Sequence, residues 1–440
     1  MRWPLLNSAA AARPILWSQG RAIRVEELLS SVHELANRLP GQSHAINLCE
    51  HRHAFLAAFC AALLRGQTNL LPSSRAQAMV DEVRALYPDS YVCDDAMVQL
   101  SNVEPAVGNT SLNLPGDQLV VIGFTSGSTG QPQRHAKRWH SLRSSNACNA
   151  ARIRECLQPE HAAARPWIVA TVPSQHMYGV ETSVLLPLIG DMAIHAARPL
   201  FPADVAAALA EIPTPRILVT TPVHLRALMG SAQRLPQLAL VISATAPLDR
   251  ELALDVEIRC GARLLEMFGS TETCVIATRQ PAREDAWHLY PQVTLEPHEE
   301  GTMVSAPWFE TDVLLQDILE PLSGQRFVVR GRNADMVEVA GKRASLADLT
   351  RRLLSLPGVQ DAIAFQPNPA AAGVVRRVAA LAVAPGLTAE SLCEQLAHSV
   401  DAAFIPRPLV LVSALPRNES GKLPHESLLA ALRSARVSRA

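Results

Sequence analysis

No two of the eight cysteines, at positions 49, 60, 93, 148, 156, 260, 274 and 393, are spaced as a CxxC pair. In a chain of 440 residues this argues against a disulfide framework or a zinc site and leaves reduced thiols. Charge of either sign is also not in excess: 40 Lys plus Arg face 41 Asp plus Glu, a formal net charge of −1. Bulk charge therefore gives no support to binding of nucleic acid or an anionic membrane. No run of eighteen apolar residues occurs, and the opening MRWPLLNSAAAARPILW is broken by Asn7, Arg13 and Pro14. Neither a membrane span nor a secretory leader is expected, and the reading is a cytoplasmic protein. Repeats and low-complexity tracts are lacking, and His51 and His53 have no second pair at metal-ligand spacing.

What is present is alternation. Length alone predicts two or three domains. RVEELLSSVHELANRL (24–39) sets Val25, Leu28, Leu29, Val32 and Leu35 on one helical stripe, stopped by Pro40-Gly41. AINLC (45–49) reads as a strand and HAFLAAFCAALL (53–64) as a helix, and the pattern repeats through TNLL, a helix over about 74–86, and LVVIGF (119–124). Further strands are predicted at 167–172, 216–220, 238–243 and 263–268. Such alternation predicts an α/β fold with a mostly parallel sheet covered on both faces. From about 273 the runs CVIAT, GTMVSA, DVLLQ and RFVVR suggest a small antiparallel or barrel-like unit. Beyond 331–334 a strand–helix mixture, with helices at 345–356 and near 388–402, fits a separate α+β domain.

LVVIGF runs into TSGSTG, so Thr125, Ser126, Gly127, Ser128, Thr129 and Gly130 form a stretch of small and hydroxyl residues. Glycines let consecutive backbone N–H groups converge, and the hydroxyls add donors, which suits a polyanion such as phosphate. An ordinary surface turn has the same composition. A Walker loop is excluded, because Gly341-Lys342 is followed by Arg343 and Gly421-Lys422 by Leu423. A GxGxxG dinucleotide fingerprint is likewise missing.

Four further stretches follow in order: VPSQHMYGVE (172–181), LLEMFGSTET (264–273), RGRNADMVEVAGKR (330–343) and LPRNESGKLP (415–424). With TSGSTG they resemble the signatures of the adenylate-forming superfamily, which includes acyl- and aryl-CoA synthetases, luciferases and peptide-synthetase adenylation domains. The resemblance covers about residues 20–430. It implies a large N-terminal domain over 1–331 that holds ATP and an acid, and a small mobile C-terminal lid over 332–440. It further implies that residues 125–130 cover the β- and γ-phosphates. Phe268 would stack on adenine, with Gly269, Ser270 and Thr271 beside the nucleotide and Thr271 at the α-phosphate. Glu272 would hold Mg²⁺, a hard cation that prefers carboxylate and phosphate oxygen. Asp312 and Arg332 would meet the ribose hydroxyls, and Arg343 would approach phosphate with its guanidinium fork. His176, Tyr178, Gly179, Ser243, Ala244, Thr245, Ala246 and Gly269 would line the acid pocket, His176 at its mouth. Lys422 would be the mobile lysine whose charge offsets the negative groups meeting at the α-phosphate.

The chain departs from the family at several points. Gln133 stands where the phosphate loop usually carries Lys, and Arg134 or Lys137 would have to replace it. Ala334 occupies a hinge position that usually carries Asp or Lys, and Glu338 stands where Lys is common. Only about forty residues separate Glu272 from Asp312, so the barrel-like subdomain is expected to be reduced. The expected function is an ATP-dependent carboxylate ligase that makes an acyl- or aryl-adenylate and passes it to CoA or to the phosphopantetheine thiol of a separate acyl carrier protein. The short length and the SGSTGQP pattern resemble compact ligases of aryl-polyene and xanthomonadin-type pigment biosynthesis, implying a small aromatic acid such as 4-hydroxybenzoate. The alternatives are a fatty acyl-AMP or acyl-CoA ligase, a ligase with a non-thiol acceptor, and a nucleotide-binding homologue without turnover.

Overall fold

The computed structural model describes residues 1–7, 11–98, 112–126, 132–161, 164–332, 336–339, 342–367, 377–418 and 421–437. Two compact units result: Met1–Val293 with Ala306–Thr311, and Thr294–Ser305 with Asp312–Ala440. The small sheet after residue 293 thus groups with the C-terminal segment, a different division from the expected one at 331/332. No described helix is long and apolar enough to cross a membrane.

Two large sheets and a two-stranded one, Arg2–Pro4 antiparallel to Asn113–Pro115, build the first unit. A five-stranded sheet has the order Ser90–Cys93, His44–Asn47, Thr68–Leu71, Leu119–Ser126, Pro132–Arg138. Its first four strands are parallel, and the last folds back antiparallel on Leu119–Ser126. In the second sheet Arg263–Ser270, Leu240–Ser243, Arg216–Thr220, Trp167–Ala170, Ala193–His195 and Pro14–Ser18 lie side by side and parallel. Arg21–Arg24 extends one edge antiparallel, and Cys274–Arg279 then Trp287–Leu289 extend the other. The run CVIAT therefore belongs to this large sheet and not to the small unit anticipated from 273 onward, because its partner is the strand immediately before it.

The helices follow the apolar spacing. Helix Val25–Arg38 buries the predicted stripe, with the Glu27 carboxylate accepting from the Arg24 N–H at 2.9 Å, and it ends before Pro40. Helix Arg52–Leu64 is apolar almost all round and correspondingly buried almost throughout. Its one charged residue, Arg52, is buried as well. Arg52 donates to the Ser174 hydroxyl at 2.9 Å and to the carbonyls of Ala170 and Val172 at 3.1 and 3.3 Å. Burial pushes its guanidinium down to about 9. The cation thus holds together the backbone that leads from strand Trp167–Ala170 into the QHMYG segment.

In the second unit, Thr294–His298, Gly301–Ser305 and Val313–Leu315 form a three-stranded antiparallel sheet, and Asp317–Leu322 pairs with Arg326–Arg332. A hairpin of Met336–Val339 and Lys342–Ser345 follows. The chain then forms a sheet of Asp361–Phe365, Ala379–Val383 and Leu409–Leu411. Helices Leu346–Leu354 and Ala389–Ala397 share one apolar cluster with this sheet, and helix His425–Val437 shares another.

Arg52→Met keeps most of the volume but removes the donors to two buried carbonyls. It is expected to lower stability by about 1–3 kcal/mol, read as a fall in the denaturation midpoint.

Candidate active site

Strand Leu119–Ser126 delivers Thr125 and Ser126 to the phosphate stretch; Gly127, Ser128, Thr129 and Gly130 lie outside the described residues. Its partner Pro132–Arg138 sets Gln133 opposite Thr125 and His135 opposite Gly123. His135 Nε2 lies 2.9 Å from Thr125 Oγ1 and 3.4 Å from Glu272 Oε1. Burial lowers the His135 pKa from its ordinary value, against the opposing pull of Glu272. Glu272 shifts the other way. Burial opposes its ionisation, but hydrogen bonds from Ser270 and from its own backbone, with the nearby His135 and Lys137, hold it below the usual carboxylate range. An ionised carboxylate with a third of its side chain exposed is the hard oxygen donor that magnesium takes, so Glu272 fits the metal assigned to it. Lys137 is committed elsewhere. It is buried, and its ammonium donates to the Glu272 carbonyl.

The Phe268–Glu272 segment turns at the end of strand Arg263–Ser270. A bulge falls between Phe268 and Gly269, and a Cβ at Gly269 would stand 2.1 Å from the Cys274 carbonyl oxygen, so only glycine fits. Ser270 N–H donates to Thr273 Oγ1 at 3.1 Å, and Thr273 N–H donates to Ser270 Oγ at 3.2 Å, which closes the turn on itself. Phe268 is half-buried against Trp287, ring centroids 5.3 Å apart. Trp287 is in turn covered by the Arg279 guanidinium at 4.6 Å, and Arg279 is gripped by buried Glu266 at 2.6 Å. The aromatic platform is therefore backed by a cation and a carboxylate.

Gly123 marks where three motifs meet. A Cβ there would lie 3.2 Å from Thr271 Cγ2 and 3.5 Å from Met177 Cε. The strand before the phosphate stretch, the Thr271-Glu272 turn and the QHMYG segment are thus in contact. Half-buried His176 caps the helical turn that starts at Met177, and Gly179 lies so close to the Pro173 carbonyl that a Cβ would be 1.8 Å from its oxygen. Gly179 is accounted for by this close approach. The Tyr178 hydroxyl donates to the carbonyls of Thr220 and Ile242, each at 3.3 Å. It ties the helix to the carboxyl ends of two parallel strands, the end of such a sheet where ligands bind. Ser243 ends one of these strands, its hydroxyl buried without a hydrogen-bond partner among the described residues. Ala244 is buried, Thr245 is exposed with φ of +82°, and Ala246 is half-buried. A small cavity near these strand ends is lined by Thr171, Leu218, Thr220 and His224, among others, and by none of the predicted pocket residues.

A family model for AMP-binding enzymes matches residues 35–320. The chain belongs to the AMP-binding enzyme family. The 4-coumarate–CoA ligase of Halorhodospira halophila is 29% identical over 310 residues, 68% of this chain and 73% of that protein. The o-succinylbenzoate CoA synthetase of Bacillus subtilis, in complex with its acyl-adenylate intermediate, superposes with a TM-score of 0.80 at 17% identity, covering 97% of this chain and 98% of that one. The same synthetase with ATP and magnesium gives a TM-score of 0.79 at 17% identity, over 97% and 99% of the two chains.

The remaining predicted residues of this AMP-binding enzyme lie in its second unit. Asp312 is exposed just before strand Val313–Leu315; Arg332 ends strand Arg326–Arg332, and Arg343 pairs across its hairpin with Glu338. Ala334 lies outside the described residues. Lys422 is exposed on a loop built from its own backbone, since its N–H donates to Asn418 Oδ1 at 2.9 Å and its carbonyl accepts from Asn418 N–H at 2.8 Å. Arg417 anchors that loop, reaching the Asp361 carboxylate at 2.8 Å and the Gly421 carbonyl at 3.0 Å.

Sequence reasoning missed the residues that support the site. Glu181 stands out among them. It lies in a π-helical turn, Val180–Leu185, and both its oxygens accept the Val275 N–H, at 3.2 and 3.1 Å. Asn149 Nδ2 donates to it at 3.0 Å. Its position inside the quoted VPSQHMYGVE stretch was the available signal: a carboxylate at an otherwise apolar helical position needs a partner.

Burial pushes the Glu181 carboxyl up to about 7, against its hydrogen bonds and Lys137. Because the folded state binds this proton more tightly than the unfolded one, the group subtracts stability as pH rises from its ordinary value toward 7. Relative to Glu181→Gln, the wild type is expected to lose thermal stability between pH 5 and 7.5, measured by melting temperature across that range. Gly269→Ala should lower the melting temperature by several degrees and abolish ATP binding measured by calorimetry, since the Cys274 carbonyl cannot give way without opening the turn.

Proposed function

We propose that this AMP-binding enzyme is an ATP-dependent acid–thiol ligase acting on a small aryl acid of the 4-hydroxybenzoate type. The observation that carries the reading is the meeting at Gly123 of the phosphate strand, the Thr271-Glu272 turn and the QHMYG segment. The three segments juxtapose a phosphate-binding stretch, an ionised carboxylate and the carboxyl ends of parallel strands. The Ser243 hydroxyl, without a partner among the described residues, and the half-buried His176 and Tyr178 are polar groups near those strand ends. The likeness to 4-coumarate–CoA ligase supports an aromatic acid.

In the first step a carboxylate oxygen of the acid attacks the α-phosphorus, and the bond to the pyrophosphate oxygen breaks. In the second, a thiol sulfur attacks the carbonyl carbon of the adenylate, AMP leaves, and the thiol proton passes to solvent. Phe268 offers a face to adenine, Thr271 an hydroxyl to the α-phosphate, and residues 125–130 donors to the outer phosphates. Asp312 and Arg332 take the ribose, and Arg343 a phosphate. Magnesium, when bound by Glu272, would offset the charge of the phosphates. Lys422 supplies the cation at the α-phosphate, where attack concentrates negative charge. Residues 332–440 act as the mobile lid that brings Lys422 in for the first step and withdraws it for the second. The thiol is that of CoA or of a separate carrier protein.

ATP–pyrophosphate exchange screened over aromatic and fatty acids tests this reading. Exchange is expected with hydroxylated aromatic acids, and Lys422→Ala should reduce it by about 10²–10³-fold. Exchange with fatty acids alone would overturn the aryl assignment, and full exchange in Lys422→Ala would overturn the role of the lysine. AMP release that needs neither CoA nor carrier protein would point to another acceptor.

A further inference from the structure

The turn that carries Glu272 is held at two of its backbone groups by buried side chains, neither of which belongs to it. At its Glu272 carbonyl it accepts from the Lys137 ammonium, with the lysine only 7% exposed. At its far end the Val275 N–H donates to the carboxyl group of Glu181, 2% exposed. Asn149 occupies Glu181 further and is itself oriented by the Tyr290 hydroxyl, which donates to Asn149 Oδ1 at 2.6 Å. Between these anchors the backbone reverses through Cys274, whose φ of +60° is rare for a residue with a side chain. The reciprocal Ser270–Thr273 hydrogen bonds close the same few residues. His135, two residues before Lys137 and hence on the same strand face, stands 3.4 Å from the carboxylate of Glu272. One strand face therefore holds both the backbone and the side chain of Glu272.

We infer that Lys137 is a positioning residue for the metal: by fixing the Glu272 carbonyl three residues before the Glu181–Val275 bond, it sets the direction in which the Glu272 carboxylate projects. The inference rests on the reading in which Glu272 holds the magnesium of MgATP. A buried lysine could merely add stability, and the two roles differ in what they move. Loss of a positioning group weakens metal–nucleotide binding in a protein that still folds, whereas loss of a merely stabilising one lowers the melting temperature and leaves binding to the folded fraction unchanged.

The test is equilibrium binding of Mn²⁺ with α,β-methylene-ATP, followed by the electron paramagnetic resonance signal of free Mn²⁺, beside the melting temperature of each variant. Lys137→Met is expected to raise the dissociation constant about 10–100-fold, the usual effect of removing a group that orients a metal ligand. Lys137→Arg, which keeps a cation and a donor, should recover most of that loss. Should Lys137→Met fail to fold, Lys137→Gln takes its place with the same criterion. Wild-type affinity in Lys137→Met or its substitute, or no recovery in Lys137→Arg, overturns the inference. If the wild type binds no Mn²⁺ with the nucleotide, the reading of Glu272 fails instead, and the inference falls with it.

Discussion

The constraint on which the site depends is the narrow turn from Ser270 to Val275. Its residues present the Thr271 hydroxyl and the Glu272 carboxylate just beyond Phe268, yet a tight turn by itself has too few hydrogen bonds to hold one shape. The chain answers with partners drawn from distant segments. Lys137 comes from the edge strand of one sheet, Glu181 from a π-helical turn, and Asn149 from the long helix Trp139–Cys156. Taking charged groups out of water is expensive, and it is tolerable here because each meets a backbone group that also needs a partner. The same logic applies to Arg52, whose two terminal nitrogens donate to backbone carbonyls and a hydroxyl beside the QHMYG segment.

Much of the frame was legible beforehand, for a definite reason. The parallel strands are short apolar runs that end at small or hydroxyl residues, and the helices between them carry clear stripes, as in Val25–Arg38. Period and length alone identify such elements. Illegible features were those decided by tertiary partners, whether near or far along the chain. Cys274–Arg279 is a short apolar strand equally suited to a small antiparallel unit, and only its pairing with Arg263–Ser270 assigns it to the large sheet. PQRHAKR is polar in composition, yet its Lys137 is buried and donates to a carbonyl 135 residues away. Local pattern carries no trace of a bond that long.

The two compact units also divide the predicted chemistry. Thr125, Phe268, Thr271, Glu272 and the acid-pocket residues sit on the first, which has the large sheets; Asp312, Arg332, Arg343 and Lys422 sit on the second. The first set is built on strand ends and close glycine contacts that a packed core determines. The Lys422 loop is fastened by the Arg417–Asp361 pair to the sheet of its own unit. Lys422 is therefore held by contacts within its own unit.

The missing loop lysine can now be argued from strand geometry. Side chains alternate along a strand, so Gln133, His135 and Lys137 share one face, while Arg134, Ala136 and Arg138 share the other. Arg138 is engaged on its own face by Glu310. Arg134, on the face away from Glu272, cannot reproduce the direction of a lysine at 133, although it is the nearest cation in sequence. Lys137 shares the face of Gln133 but lies two pleats farther back, where it is committed to the Glu272 carbonyl. A lysine at 133 would add a third basic side chain to a face whose His135 and Lys137 already serve Glu272. The neutral Gln133 leaves that face with one lysine, placed at 137 and committed to the backbone carbonyl of Glu272.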